Sequence, residues 1–300
     1  MRVVSLLPAA TEIVAFLGAS EHLVGITHEC DFPAVVKSRA RVTESALPHV
    51  GSPAEIDASV HLLAGEGHAL FTLDETRIRA LHPTVLLTQA LCDVCAVRES
   101  DVRALAARLA PPPNVVTLGG TTLDGIYADI HAVADALDAV SDAEELLMGL
   151  HDRVKHVHDT LKAERAPRPR VAVIEWTSPI YIAGHWVPEQ VKRAGGVDVL
   201  GVAGQHSVTV SMQQLVDSQP EFVIFAPCGY SLAASVAEAR RLVTTEEWLW
   251  IGDAQVWAMD ANALVSRPGP RVVDGIEAMA RMFNPMLFTA LDKRHAERVR

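Results

Sequence analysis

Three hundred residues, 49% of them hydrophobic and 21% charged, are enough for one large domain or two medium ones with proper cores. The formal charge of -11 argues against a nucleic-acid surface, which needs Lys and Arg gathered on one face. No stretch approaches the ~20 consecutive apolar residues of a transmembrane helix, so the chain is not membrane-embedded.

The chain opens with Met1 and Arg2 running directly into "VVSLLPAATEIVAFLG", with no separate apolar signal segment and cleavage site. As encoded it is expected in the cytoplasm; a periplasmic or cell-surface place requires a truncated start. Thiols there are usually reduced, which counts against a disulfide. Up to residue 118, short apolar runs ("VVSLL", "HLVGIT", "TVLLTQ", "NVVTLG") alternate with helical patterns such as "TEIVAFLG" and "ESDVRALAARLA". Such alternation predicts a mostly parallel sheet covered on both faces. From Thr121 to about Glu164 a proline-free stretch repeats apolar residues at three and four positions, which predicts one long helix. After the linker-like "RAPRPR" the alternation resumes with "VAVIEW", "IYIAGH", "EFVIFAP" and "QVWAMD". The segments "LHPTVLLTQALC" and "SQPEFVIFAPC" echo each other, each with a helix end, a proline, a strand and a cysteine loop. Two similar α/β lobes bridged by a rod follow: residues 1–120, a bridge at 121–165, and residues 166–300. Ligands of such sheets bind beyond the carboxyl ends of the strands, so the two sets of ends are expected to line one cleft.

Chemistry-bearing residues collect after those strands. "HLVGIT" leads into His28, Glu29, Cys30 and Asp31; "TVLLTQ" leads to Cys92, Asp93 and Cys95; "EFVIFAP" leads to Cys228 and Tyr230. His28 with Cys30 and Cys92 with Cys95 offer imidazole and thiolate donors of the kind that suit zinc or another transition metal. The Cys-x-x-Cys pair could equally be a redox couple, a disulfide or two small core residues. In the second lobe Trp176, His185 and Trp186 end strands, with Tyr181 and Tyr230 nearby. These aromatics are core lids or the walls of a flat, apolar ligand site. Arg267 and Arg271 flank a Pro-Gly-Pro turn, where they grip a ligand's carboxylates or amides or anchor the turn to Asp260 or Asp274. His206 is expected as a plain loop histidine, and His151, His156 and His158 as a solvated helix face. No G-x-G-x-x-G or Walker loop follows a strand, and no G-x-S-x-G elbow is present, which argues against a nucleotide cofactor and a serine hydrolase.

"RVVSLLPAATEIVAFLGASEHLVGIT", "LHPTVLLTQ", "RVAVIEWTSPIYIAGHWVPEQVKRAGGVDVL" and "ALVSRPGPRVVDGIEAMARM" together resemble the iron/vitamin B12 periplasmic-binding family, the cobalamin-binding proteins of ABC importers. The resemblance spans nearly the whole chain. It implies an α/β fold of two Rossmann-like lobes joined by one long backbone helix, as in class III substrate-binding proteins, with little hinge motion. It also implies a loop bearing Pro8 at the ligand, alongside Trp176, Trp186, Tyr230, Arg267 and Arg271. Family members dock on a permease through an acidic residue on each lobe; the nearest candidate, Glu75, is one position out of register. The first functional expectation is therefore a non-catalytic carrier of cobalamin, a related corrinoid or another tetrapyrrole chelate. The alternative is an intracellular metal-binding enzyme or metallochaperone on a chelatase-like fold. There His28, Cys30, Cys92 and Cys95 hold the metal, and Glu29 or Asp93 moves protons. A third expectation is a redox protein using Cys92 and Cys95.

Overall fold

In the computed structural model, which describes residues 1–47, 51–66, 68–91, 96–288 and 292–300, the first apolar run forms β1 (Val3–Ser5), buried throughout. Pro8 opens α1 (Pro8–Phe16), a position where a missing N–H costs nothing. Then come β2 (Leu23–Ile26), β3 (Ala40–Arg41), β4 (Thr43–Ser45), α2 (Pro53–Gly65), β5 (Phe71–Leu73), α3 (Glu75–Ala80), β6 (Val85–Gln89), α4 (Glu99–Ala107) and β7 (Asn114–Leu118). β1 pairs in parallel with β2 on one side and β6 on the other, giving the order β3-β2-β1-β6-β7. All five residues of β6 are buried, as expected of a parallel strand covered on both faces. The sheet's order reverses between β1 and β6, so the chain leaves these neighbouring strands, towards Pro8 and towards Ala90, at the switch point. β4 and β5 form a separate antiparallel ladder.

The expected single helix from 121 to 164 is two helices, α5 (Leu123–Ala136) and α6 (Val140–Ala163). The Ala139 N–H reaches the Ala134 carbonyl at 2.9 Å, the Asp138 N–H reaches that of Asp135, and Asp138 sits at φ 55. This is a helix-ending Schellman turn, with aspartate in the left-handed conformation usually given to glycine. No Gly or Pro marks the break, which is why apolar periodicity runs across it. Two compact units divide the chain at Met1–Met148 and Gly149–Arg300, so the boundary falls inside α6.

The second unit centres on β8 (Arg170–Thr177), followed by β9 (Ile180–Ile182), α7 (Val187–Arg193), β10 (Val197–Asp198), β11 (Val208–Thr209), α8 (Met212–Asp217), β12 (Phe222–Phe225), α9 (Leu232–Leu242), β13 (Gln255–Met259), α10 (Ala261–Leu264), α11 (Val272–Phe283) and β14 (Ala296–Arg298). Its sheet runs β11-β9-β8-β12-β13-β14, with β10 also on β8. β8, β12 and β13 are parallel, whereas β9 folds back antiparallel on β8 and β14 closes antiparallel on β13. Ile174, Phe225, Val256 and Trp248 share its core, the Phe225 and Trp248 rings 5.2 Å apart. Each unit is thus a Rossmann-like α/β layer, and the second carries antiparallel edges. Within it, Arg153 of α6 grips α11 through Glu277 (2.9 and 2.7 Å) and Asp274 (2.5 Å). Those hydrogen bonds, Glu277's first, hold the guanidinium above its ordinary pKa against the opposing effect of burial. No helix among the described residues is long and apolar enough to cross a membrane.

Candidate functional site

In the first unit, the carboxyl ends of β1 and β2 meet around a buried hydroxyl. Thr11, fully buried on α1, donates to Ser5 Oγ at 2.8 Å and lies 3.0 Å from Cys30 Sγ. Cys30 keeps 2% of its surface, the setting of a packed thiol. Arg41 fastens the same loop by donating to the carbonyls of Thr27 and Cys30 at 2.8 and 2.7 Å. His28 is turned to Thr43, 2.7 Å from Nδ1 to Oγ1, with its ring 5.6 Å from Phe71. Pro8, half-buried, begins α1 on this edge. Cys92 and Cys95 lie outside the described residues, and so does Asp93. Among the described residues no group of three or more His, Cys, Asp and Glu side chains is arranged to hold a metal. Further along the edge, buried Asp129 of α5 accepts the Gly119 and Gly120 N–H groups after β7; burial pushes its carboxyl up, against those two hydrogen bonds. Glu75 is exposed at the start of α3 and pairs with Arg108 at 2.6 Å.

The second unit assembles its aromatics at the ends of β8 and β12. Trp176 and Tyr230, both half-exposed, meet edge to face with ring centres 5.8 Å apart. The β12–α9 turn is pinned by Cys228 N–H to the Glu175 carbonyl (3.0 Å) and by Asn262 N–H to the Tyr230 carbonyl (3.0 Å). Beneath it, Glu238 accepts from Thr177 Oγ1 at 2.6 Å and from Arg241 at 2.9 and 2.8 Å. Burial, and secondarily the Glu238 charge, pushes the Tyr230 phenol up, so it stays neutral and able to donate a hydrogen bond.

Trp186 occupies a different setting from Trp176. It is 6% exposed and its indole N–H donates to the Val265 carbonyl at 2.9 Å, so it locks α7 to α10. Arg267 is likewise 6% exposed, within the turn, while Arg271 is half-buried at the start of α11. The structure therefore brings Trp176, Tyr230 and Cys228 to one edge and packs Trp186 and Arg267 inside. Sequence spacing missed one cluster here. His185 Nε2 and His206 Nδ1 lie 3.3 Å apart, and Ser207 Oγ donates to Glu175 at 2.5 Å. Nothing in residues 21 positions apart signals that contact; it exists because β11 pairs with β9.

Comparison with known proteins agrees with this architecture. The family described as "Periplasmic binding protein" matches residues 3–248. The vitamin B12-binding protein of Vibrio cholerae serotype O1 is 23% identical over 284 residues, covering 92% of this chain and 86% of that protein. An uncharacterised ABC transporter substrate-binding lipoprotein of Bacillus subtilis (strain 168) is 20% identical, over 96% and 81% of the two chains. A periplasmic heme-binding protein from Pseudomonas aeruginosa shares the fold at a TM-score of 0.73 and 20% identity, over 99% and 97% of the two chains.

Proposed function

The chain belongs to the periplasmic binding protein family, and on that footing we propose that it is a non-catalytic carrier of a corrinoid or a closely related tetrapyrrole metal chelate. The observation that carries the reading is the half-exposed Trp176–Tyr230 pair at the ends of β8 and β12. A corrin or porphyrin is a wide, largely apolar disc with polar groups at its rim, and aromatic faces beside a few polar anchors are what such a ligand needs. Tyr230's neutral hydroxyl supplies an anchor suited to a rim amide or carboxylate. The B12-binding relative, similar over 92% of this chain, favours a corrinoid; the heme-binding neighbour keeps haem as the comparison ligand.

Delivery to an ABC importer's permease belongs to the same proposal. Glu75, the sequence's nearest docking acid, already pairs with Arg108, so a permease cation would have to displace that arginine. The test is titration of the purified protein with cyanocobalamin, cobinamide and haemin. All five tryptophans (Trp176, Trp186, Trp248, Trp250 and Trp257) lie in the second unit, so fluorescence quenching reads that unit alone. Binding at micromolar affinity or better, weakened tenfold or more by Trp176→Ala, is the expected result. A folded protein that binds none of the three overturns the reading. Fractionation of the native host tests the compartment: recovery with the cytoplasm would make the protein an internal carrier and not an importer's collector.

A further inference from the structure

Residues 184–186 and 204–207 face each other as two backbone segments locked by reciprocal hydrogen bonds. The His185 N–H donates to the Gln205 carbonyl at 2.6 Å, and the Gly204 N–H returns to the His185 carbonyl at 2.8 Å. A Cβ on Gly184 would stand 2.5 Å from the Gln205 oxygen, so only glycine lets the segments come this close. His185 itself is held at φ 52, a left-handed conformation uncommon outside glycine that costs on the order of 1 kcal/mol. The Gly184 N–H to Ser207 Oγ bond (3.1 Å), and that hydroxyl's own bond to Glu175, fix the far end. The product of this constraint is two imidazoles edge to face, ring centres 5.1 Å apart, with Nε2 of His185 and Nδ1 of His206 separated by 3.3 Å.

We propose that His185 and His206 form a binding site for a first-row divalent transition-metal ion, nickel, copper or zinc. Two nitrogens each ~2.0–2.1 Å from a tetrahedral ion stand about 3.3 Å apart, the separation already present here, so tilting of the two rings, and not their approach, is what a shared ion would require. Imidazole is the ligand type these ions prefer over the carboxylates and carbonyls that suit magnesium or calcium. His206 is exposed, and among the described residues no third His, Cys, Asp or Glu completes the set. The remaining coordination positions are therefore open to water or to a donor atom of a second ligand. The site does not depend on the tetrapyrrole reading, since neither histidine contributes to the Trp176–Tyr230 pair.

The test is calorimetric titration of the full chain with nickel sulfate at pH 7.5, in wild type, His185→Asn, His206→Ala and the control His156→Ala on the exposed face of α6. Asparagine tolerates the left-handed backbone of position 185, and circular dichroism confirms folding of each variant. The chain has 13 histidines, so the comparison among variants, not bulk binding, carries the result. The expected outcome is a one-to-one micromolar site that weakens tenfold or more in either pair variant and is unchanged in His156→Ala. Nickel should also raise the melting temperature of wild type, and not of His206→Ala. Absence of nickel binding by wild type, or equal affinity and stoichiometry in His206→Ala, overturns the proposal and leaves the pair as a hydrogen bond only.

Discussion

Glu238 is the buried acid on which the Trp176–Tyr230 edge rests, and replacing it with glutamine tests that support. Its side chain is 9% exposed and accepts three hydrogen bonds, one from Thr177 and two from Arg241. Burial pushes this carboxyl up, but the Arg241 and Thr177 hydrogen bonds and the Arg241 charge outweigh it and hold the group below its ordinary 4.5. Glutamine keeps the shape and can still accept from Thr177, so the loss is the charge-assisted part. A buried charged hydrogen bond contributes about 1.5–3 kcal/mol, yet the Arg241 side chain is 57% exposed and solvent screens its share. The expected cost of Glu238→Gln at pH 7 is therefore about 1–2 kcal/mol. Urea unfolding followed by tryptophan fluorescence isolates the second unit, and with a slope of roughly 2 kcal/mol/M the midpoint should fall by ~0.5–1 M. The pH dependence has a definite sign. A depressed carboxyl stabilises the fold above its unfolded pKa and loses that contribution as pH falls through the folded value. The gap between wild type and Glu238→Gln should accordingly narrow as pH falls from 4.5 through the lower folded value. The variant should also lower the Tyr230 pKa, because one of its two upward influences is gone. Equal midpoints at pH 7, or a gap unchanged at pH 3, would refute the reasoning.

Trp186→Phe removes the donor to the Val265 carbonyl and should destabilise the second unit by about 1–2 kcal/mol while leaving corrinoid affinity unchanged, as urea unfolding and ligand titration on one preparation would show. Arg153→Met breaks the pairs to Glu277 and Asp274; with the arginine side chain 39% exposed the loss should be about 1 kcal/mol, larger at low salt than in 0.5 M NaCl. Gly184→Ala forces its methyl against the Gln205 oxygen and should cost about 1–3 kcal/mol, weakening nickel binding along with stability.

Strand positions were legible because buried parallel strands must be apolar runs. β1, β2, β6, β7, β8, β12 and β13 each coincide with one of the predicted runs. The reversal of β9 was not, because Ile180–Ile182 has the same composition whichever way it pairs. α2 carried a readable signal that spacing of apolar residues alone passes over: Ser52 and Glu55 form a capping box. α8 repeats it with Ser211 and Gln214. The break at Asp138 left no mark, since aspartate adopts the left-handed turn without advertising it as glycine does. At the candidate site the sequence put Trp176 and Tyr230 at strand ends, where the structure has their rings in contact, but could not separate Trp176 from Trp186. Both sit near the end of an apolar run, and only the Val265 carbonyl, 79 positions from Trp186, shows that the second is packed.

That separation goes with a difference in character between the two units. The aromatic surface belongs to the second unit, where every tryptophan resides, and its polar support is the Thr177–Glu238–Arg241 chain. The first unit's described edge is small and polar in character: Ser5, Thr11, Thr27 and Thr43 linked by hydroxyls, with Cys30 among them and Asp129 holding the Gly119–Gly120 turn. Ser5, Thr11, Thr27 and Thr43 are each no more than 3% exposed, so their hydroxyls are committed to one another and act by fixing the ends of β1 and β2, whereas the aromatic pair of the second unit stays partly open to solvent.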